Sequence, residues 1–128
     1  MVDKALEAML KSGVNVWNEW RGAHPDTTAA LPGAHLCGVD LIGANLAEAD
    51  LRKADLRGAN LSDAILAGAH LGGANFFKAI LDRADVASAD LTGAQFLTGA
   101  QLKTTRNWQT AYRDLELACG APIPRSRG

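Results

Sequence analysis

Carboxylates and histidines are the side chains of this 128-residue sequence that could perform acid–base catalysis or bind a metal ion. Five of the aspartates recur at intervals of five residues or a multiple of five: Asp40, Asp50, Asp55, Asp85 and Asp90. Their regular spacing indicates that they occupy one position of a sequence repeat, which accounts for their presence without a catalytic role. An evenly solvated carboxylate is also a poor acid or base. The aspartates therefore give no reason to predict catalysis.

The histidines provide one candidate metal site. His70 lies twenty residues from both Asp50 and Asp90, and a structural metal needs three or four such ligands close together. A surface ladder of hydrogen bonds is the alternative for the same three residues, and it is the one we favour. No metal and no other cofactor is predicted.

Enzyme signature motifs are absent from the sequence. It has no phosphate-binding glycine loop, no nucleophile elbow, no HExxH and no paired CxxC. Cys37 and Cys119 have neither a disulfide framework nor metal-ligand spacing, so we expect two reduced thiols. The protein is predicted to be non-enzymatic.

The charge balance and the first residues limit the cellular locations and the kinds of partner that we expect. With 13 basic and 14 acidic residues the formal net charge is -1, which argues against constitutive binding to nucleic acid or to an anionic membrane. The first residues contain no apolar run long enough for a signal peptide or a membrane span. We therefore expect a cytoplasmic protein that binds neither nucleic acid nor membranes.

A five-residue repeat occupies the middle of the sequence. The large apolar residue at the centre of each unit recurs fourteen times without a slip: Leu31, Leu36, Leu41, Leu46, Leu51, Leu56, Leu61, Leu66, Leu71, Phe76, Leu81, Val86, Leu91 and Phe96. Alanine stands two residues before each centre, except at Val39. The residue between them is mostly polar, and the residue two after the centre is often glycine, which suits a turn.

This spacing gives each unit an inner and an outer side. In an extended chain alternate residues point the same way, so the alanine and the centre share one side and the polar residue takes the other. If the remaining two residues form a corner, every centre points into one interior. The interior is then narrow, since a larger residue in place of alanine would overpack it at a cost of about 1–3 kcal/mol.

The pattern A(D/N)LXX resembles that of the pentapeptide-repeat family over residues 29–98, about half of the chain. The resemblance implies an all-β solenoid, a right-handed quadrilateral β-helix, with four units in each coil of twenty residues. Fourteen units then make about 3.5 coils. The family has no shared catalytic or ligand residues, so the resemblance implies a fold more than an activity.

A coil of twenty residues predicts which core residues lie above one another. One predicted column consists of Leu31, Leu51, Leu71 and Leu91, and the next of Leu36, Leu56, Phe76 and Phe96. The rings of Phe76 and Phe96 are therefore expected to stack inside the solenoid.

Three segments are predicted: an N-terminal helical cap and linker over residues 1–28, the β-helix over 29–102, and a C-terminal helical cap and tail over 103–128. The first segment has apolar residues at helical spacing, interrupted near Ser12 and Gly13 and ended by Pro25. In the last segment Thr104 or Thr105 is predicted to begin a helix. Its inner face is expected to be Trp108, Ala111, Tyr112, Leu115 and Ala118.

Aromatic residues are concentrated in these two flanks. Trp17, Trp20 and Trp108 could form a ligand-stacking set, but we favour their use as lids over the open ends of the solenoid, together with Tyr112. An interior of leucine and alanine left open at its ends would expose apolar surface and unpaired backbone.

Several outward positions are apolar where the repeat is otherwise polar. They are Ile42, Ile65, Phe77, Ile80 and Leu97, and Arg57 is placed below Phe77 and Leu97. Exposed apolar clusters mark partner surfaces, unless a terminal helix folds back over them. We therefore consider Ile65, Phe77, Ile80, Leu97 and Arg57 a candidate interaction surface.

Two functions follow from these observations. The first is a rigid scaffold that binds an unidentified protein as a monomer or a weak homodimer. The second rests on the resemblance, because some pentapeptide-repeat proteins are similar to a DNA duplex in shape and charge and inhibit DNA gyrase. Residues 29–102 contain eight acidic and five basic residues, a net charge of -3, which is weak for DNA mimicry.

Overall fold

The computed structural model describes residues 2–125. Two helices come first, α1 over Lys4–Ser12 and α2 over Val14–Ala23. The Asp3 carboxylate begins α1 by accepting hydrogen bonds from the Ala5 and Leu6 N–H groups at 3.0 and 3.2 Å. Gly13, at φ +153°, separates the two helices, so the apolar stripe is split where the sequence predicts an interruption.

From residue 29 onward the chain is held together by parallel bridges, most of them between residues twenty positions apart. They form four ladders: Ala30, Asp50, His70, Asp90 and Tyr112 in ladder one; His35, Asp55, Asn75 and Gln95 in ladder two; Asp40, Asn60 and Ile80 in ladder three; Asn45, Ile65, Asp85 and Arg106 in ladder four. Within the described residues each bridge is an isolated pair and not part of a longer strand. We call the twenty residues that begin at 29, 49 and 69 the first, second and third layers.

Backbone hydrogen bonds connect each layer to the next. Leu31 N–H donates to Asp50 C=O at 2.8 Å, and Asp50 N–H donates to Ala29 C=O at 2.9 Å. The Ala34 N–H donates to Leu31 C=O at 3.1 Å, which closes the corner of that unit. Because the backbone groups pair between layers, the fold is a β-solenoid.

The corners depend on a left-handed residue two positions after the centre. Glycine takes this conformation at Gly33, with φ +69°, but Glu48 and Lys53 take it as well, both at φ +59°. An L-residue in this region costs roughly 1–2 kcal/mol. The layer-to-layer hydrogen bonds therefore hold several non-glycine corners in an unfavourable conformation.

The centres fill the interior. All thirteen from Leu31 to Leu91 are at most 3% exposed, and the paired alanines between Ala29 and Ala89 are buried with them. The predicted core columns Leu31, Leu51, Leu71, Leu91 and Leu36, Leu56, Phe76 therefore lie inside, and Val39, the exception among the alanines, is only partly buried.

The fourteenth centre does not follow the pattern, and two predictions there are wrong. Phe96 is 64% exposed with φ +58°, and Leu97 is 8% exposed in the core. The chain makes its corner directly after Gln95, because Phe96 takes the left-handed conformation two positions early. Phe96 therefore does not stack on Phe76 inside the solenoid, and Leu97 does not belong to the outer surface.

A short helix, α3 over Gly99–Lys103, follows this early corner. Thr98 and Gln101 form a capping box at its start: the Thr98 hydroxyl accepts from the Gln101 N–H at 3.1 Å, and the Gln101 side-chain oxygen accepts from the Thr98 N–H at 2.8 Å. The chain then returns to the ladders with a longer spacing, since Arg106 pairs with Asp85 and Tyr112 with Asp90.

The predicted helix after Thr104 or Thr105 is not formed, and its assignment was wrong. Two 3-10 helices, Trp108–Thr110 and Leu115–Leu117, occupy this region instead, because the ladder bonds of Arg106 and Tyr112 keep the chain extended there. Leu115, assigned to the inner face, is 81% exposed. The segment boundaries at 28/29 and 102/103 stay predictions, and residues 126–128 of the predicted tail lie outside the described residues.

Trp17 and Trp20 lie at the N-terminal end of the solenoid. Trp17 is fully buried, and its indole Nε1–H donates to Asn45 C=O at 2.8 Å. Trp20 is partly buried with its ring 5.3 Å from that of Trp17. No helix within residues 2–125 is long and apolar enough to cross a membrane.

Near the C-terminal end an arginine occupies the position of a centre. Arg113 follows Tyr112 in the ladder as Leu91 follows Asp90, and it is 4% exposed. Its guanidinium donates to backbone carbonyls, among them Leu117 at 2.8 Å and Ala111 at 3.0 Å, and lies 5.3 Å from the partly buried Trp108 ring. It thereby pairs backbone carbonyls around the last bridge of the ladders within residues 2–125.

Candidate interaction surface

Two exposed phenylalanines pack against each other on the outside of ladder two. Phe77 and Phe96 follow the bridged residues Asn75 and Gln95 and are 45% and 64% exposed. Their ring centroids are 5.5 Å apart in an edge-to-face arrangement, a geometry that aromatic pairs favour. Together they form an aromatic pair that projects from the solenoid.

Phe96 was assigned to the core, so sequence analysis missed its place in this surface. The feature that indicates the outward position of Phe96 is the sequence Thr98-Gly99-Ala100-Gln101, which has the T-x-x-Q spacing of a helix capping box. A helix capped by Thr98 leaves no room for a complete repeat unit after Gln95. The corner therefore moves forward to Phe96, and its ring turns outward.

Two neighbouring residues extend this surface. Lys78 lies at the corner after Phe77, and its Nζ is 5.4 Å from the centroid of the Phe77 ring. Ile80, the next outward residue along the chain, is 43% exposed on ladder three. We define the aromatic surface as Phe77, Phe96, Lys78 and Ile80.

Arg57 lies one layer before Phe77 on the same side, but its charge is engaged. It donates two hydrogen bonds to the Asp55 carboxylate, from Nε at 2.8 Å and from one terminal nitrogen at 2.7 Å. These side-chain bonds are the main cause that lowers the pKa of Asp55. Arg57 therefore borders the aromatic surface as part of an ion pair.

The remaining apolar residues of the prediction do not gather into one surface. Ile65 is 38% exposed but belongs to ladder four, whereas Phe77 belongs to ladder two. Ile42 is 45% exposed in the first layer, near the N-terminal helices. Of the predicted set, Phe77 and Ile80 flank one corner, Arg57 lies beside them, and Leu97 is in the core.

The other cluster with possible chemistry surrounds His70. Backbone bridges place His70 between Asp50 and Asp90. His70 and Asp50 line a shallow hollow of about 390 Å³ together with Thr28, Glu48 and Arg52. Arg52 donates to both Asp50 oxygens at 2.8 and 2.7 Å, and these bonds are the main cause that lowers the pKa of Asp50. Within residues 2–125 no group of His, Cys, Asp or Glu is arranged to hold a metal ion.

A solenoid of five-residue units with inward leucines and alanines defines a class of repeat protein, and comparison with known families gives the same result. The family model for pentapeptide repeats matches eight copies, over residues 29–58, 54–93 and 69–105, which together span more than half of the chain. The chain belongs to the pentapeptide-repeat family.

Solved structures of two pentapeptide repeat proteins are similar to this chain. One is from the thylakoid lumen of Arabidopsis thaliana, with 24% identity and a TM-score of 0.46 over 77% of this chain and 66% of the other. The second is from the cyanobacterium Cyanothece 51142, with 27% identity and a TM-score of 0.27 over 71% and 65%. This chain thus spans just under two thirds of each protein's length. No curated protein matches the sequence significantly.

Proposed function

We propose that the protein is a non-enzymatic, rigid scaffold that binds another protein through the aromatic surface. The observation that supports this proposal is the pair of exposed rings, Phe77 and Phe96, packed 5.5 Å apart, with the half-exposed Ile80 on the next ladder. Aromatic side chains are enriched at protein interfaces because they bury a large area with little loss of conformational entropy. Beside His70 the Asp50 carboxylate is held by two hydrogen bonds from Arg52, which does not favour an acid–base role.

Rigidity is the second part of the proposal. The ladders support a right-handed quadrilateral β-helix of about 3.5 coils with α1 and α2 as its N-terminal cap. In such a frame the inner residues are fixed by packing and the outer residues vary without changing the fold. The aromatic surface would then meet its partner already ordered, with little entropy lost on binding.

We also propose that the protein acts in the cytoplasm as a monomer or a weak homodimer. The two free cysteines, Cys37 and Cys119, support a reducing compartment. The alternative, a DNA-mimicking inhibitor of a DNA-binding enzyme such as gyrase, has less support. It needs a strong negative field, whereas Asp50, Asp55 and Asp63 are each paired with an arginine.

The proposal is tested by affinity capture with a double variant, Phe77→Asp with Phe96→Asp. Both side chains are exposed, so the fold is expected to survive, and aspartate tolerates the left-handed backbone of Phe96. We expect one partner that wild type captures to be lost, because the new carboxylates would be buried without a counter-charge.

The matched control is Leu115→Asp, which places a carboxylate at an exposed leucine outside the aromatic surface. It should capture the same proteins as wild type, and circular dichroism should be unchanged for all three proteins. Identical capture by wild type and by the double variant would refute the aromatic surface as the binding site.

A further inference from the structure

Within residues 2–125 no earlier layer pairs with the first layer, so its edge is open. Its outward residues are Ala30, His35, Asp40 and Asn45, one on each ladder. Each of them would offer a backbone N–H and C=O to a preceding layer, as Asn60 does: its N–H donates to Val39 C=O and its C=O accepts from Leu41 N–H. An unpaired ladder edge is the feature by which sheets recruit further strands.

The N-terminal segment covers this edge on three ladders. On ladder one, Asp3 N–H donates to Ala30 C=O at 3.0 Å. On ladder two, a Glu7 carboxylate oxygen accepts from His35 N–H at 3.0 Å. On ladder four, Asn18 accepts from Asn45 N–H and Trp17 donates to Asn45 C=O, both at 2.8 Å.

Ladder three is left without such a cover. Among residues 2–125, neither the Asp40 N–H nor the Asp40 C=O takes part in a hydrogen bond. The Asp40 side chain is also exposed and accepts one hydrogen bond, from Ile42 N–H to Oδ1 at 3.0 Å. Asp40 is the one outward residue of the first layer with neither backbone group paired within the described chain.

There is room for a further segment beside Asp40. A hollow of about 690 Å³ lies between this edge and the junction of α1 and α2, lined by residues 11–16 and by Val39, Asp40 and Ile42. Val16 and Ile42 are 52% and 45% exposed at its rim. The hollow therefore combines unpaired backbone, apolar side chains and the Asp40 carboxylate, whereas Lys11, which also lines it, lies 3.7 Å from the Glu7 carboxylate.

We propose that this hollow binds an extended segment of another protein, which adds one bridge to ladder three with a basic residue beside Asp40. The bonding pattern of the ladder sets the direction: the segment runs parallel to residues 39–41. The C=O of its first residue accepts from Asp40 N–H, and the N–H of its third residue donates to Asp40 C=O, as in the bridges of the later layers.

Charge complementarity selects the middle residue of the segment. Long side chains can bridge successive layers, as they do at the corners, where Arg83 Nε donates to Asp63 Oδ1 at 3.0 Å across twenty residues. An arginine in the added segment would therefore reach the Asp40 carboxylate. A second copy of this chain is a poor occupant, since pairing two such edges about a two-fold axis brings two Asp40 carboxylates together.

The test uses a synthetic pentapeptide, acetyl-Gly-Ala-Arg-Leu-Gly-amide, and amide hydrogen exchange of the full-length protein followed by NMR. We expect fast exchange of the Asp40 amide in the free protein. At a peptide concentration of about ten times Kd, its exchange should slow about tenfold, with shift changes confined to residues 11–16 and 38–42. This surface is separate from the aromatic surface, so its failure would leave the proposed function untouched.

Three matched controls make the result specific. The same peptide with N-methyl-leucine lacks the donor for Asp40 C=O and should bind at least tenfold more weakly, whereas N-methylation of the outward arginine should matter less. Glutamate in place of the arginine should also weaken binding. Asp40→Asn should reduce affinity for the arginine peptide while leaving exchange elsewhere unchanged.

Four results would overturn the proposal. They are protection of the Asp40 amide in the free protein, equal binding of the N-methyl-leucine peptide, shift changes located elsewhere, and Asp40 protection that rises with protein concentration in the absence of peptide. The last result would show that a second copy occupies the edge.

Discussion

Glu7 pairs with a backbone N–H group at the edge of the first layer. Its side chain lies in α1, is nearly buried, and accepts the His35 N–H at 3.0 Å, a group that would otherwise have no partner. Lys4 and Lys11 lie 3.8 and 3.7 Å from the same carboxylate. The His35 N–H is the main cause that lowers the pKa of Glu7 below its usual value of 4.5, although burial acts in the opposite direction.

This lowered pKa predicts a pH-dependent contribution to stability. A carboxyl group whose pKa is lower in the folded state stabilises the fold above its unfolded pKa, and that contribution is lost as the pH falls through the folded pKa. We expect Glu7→Ala to lower the free energy of unfolding by about 1–3 kcal/mol at pH 7. The difference from wild type should shrink as the pH falls below 4.5, measured by chemical denaturation at pH 7 and pH 3.

Arg57→Gln is the comparison for this prediction. It breaks the exposed pair with Asp55, and exposed ion pairs add little to stability because solvent screens them, so its effect at pH 7 should be smaller. A Glu7→Ala difference that is the same at both pH values would contradict the capping role of the carboxylate.

At the scale of the element, the corner is the part of the unit that limits which sequences fit. The corner residue has a left-handed backbone in unit after unit, whether it is glycine or a larger residue such as Lys53. The cost of this conformation is local, but the conformation itself is imposed by bonds to the adjacent layers. The corners therefore hold strain that the ladders offset.

Gly58 isolates this effect, since a Cβ there would meet no atom within 4 Å and φ is +66°. We expect Gly58→Ala to lower the free energy of unfolding by about 1–2 kcal/mol through backbone strain alone. Gly58→Asn should cost less, because asparagine tolerates the left-handed region. Denaturant unfolding of both variants measures the difference.

Gly22→Ala provides the opposite case. Gly22 lies within α2, and a Cβ there would also meet no atom within 4 Å, so alanine should stabilise the protein by up to about 1 kcal/mol. Equal effects of alanine at positions 22 and 58 would show that the corner carries no strain.

At the scale of the whole molecule, three aspartates of the repeat are neutralised by neighbouring arginines. Asp50 pairs with Arg52 and Asp55 with Arg57 within one layer, and Asp63 pairs with Arg83 across two layers. Each pair leaves little field beyond a Debye length of about 8 Å. The outer surface therefore lacks the regular negative charge of a nucleic acid backbone.

We predict that an excess of the wild-type protein leaves DNA supercoiling by gyrase unchanged, because the field of the repeat is too weak to compete with DNA. A triple variant, Arg52→Gln, Arg57→Gln and Arg83→Gln, removes the three paired cations and leaves the aspartates in place. Inhibition by wild type would contradict the prediction and support DNA mimicry. Inhibition by the triple variant alone would identify charge as the missing feature.

The sequence was sufficient where one periodic constraint acts alone. From Leu31 to Leu91 the inward position follows from spacing, since each large residue has only one interior to enter. The sequence was insufficient where two signals compete. The five-residue repeat predicts that Phe96 is buried, but the capping box formed by Thr98 ends the repeat before that unit is complete. Arg113 could not be found in this way, because a buried arginine is recognisable only once the carbonyls around it are known.

The spacing of twenty residues between bridged positions has a consequence for how such a gene can change in length. Duplicating or losing the codons for one whole layer keeps every exposed side chain above its former kind of neighbour, so recombination can alter size while leaving recognition intact. A change of five codons also preserves the inward leucines, but it rotates everything downstream by one ladder relative to α1 and α2. Natural selection would then act on a correctly folded protein whose binding residues point in a new direction.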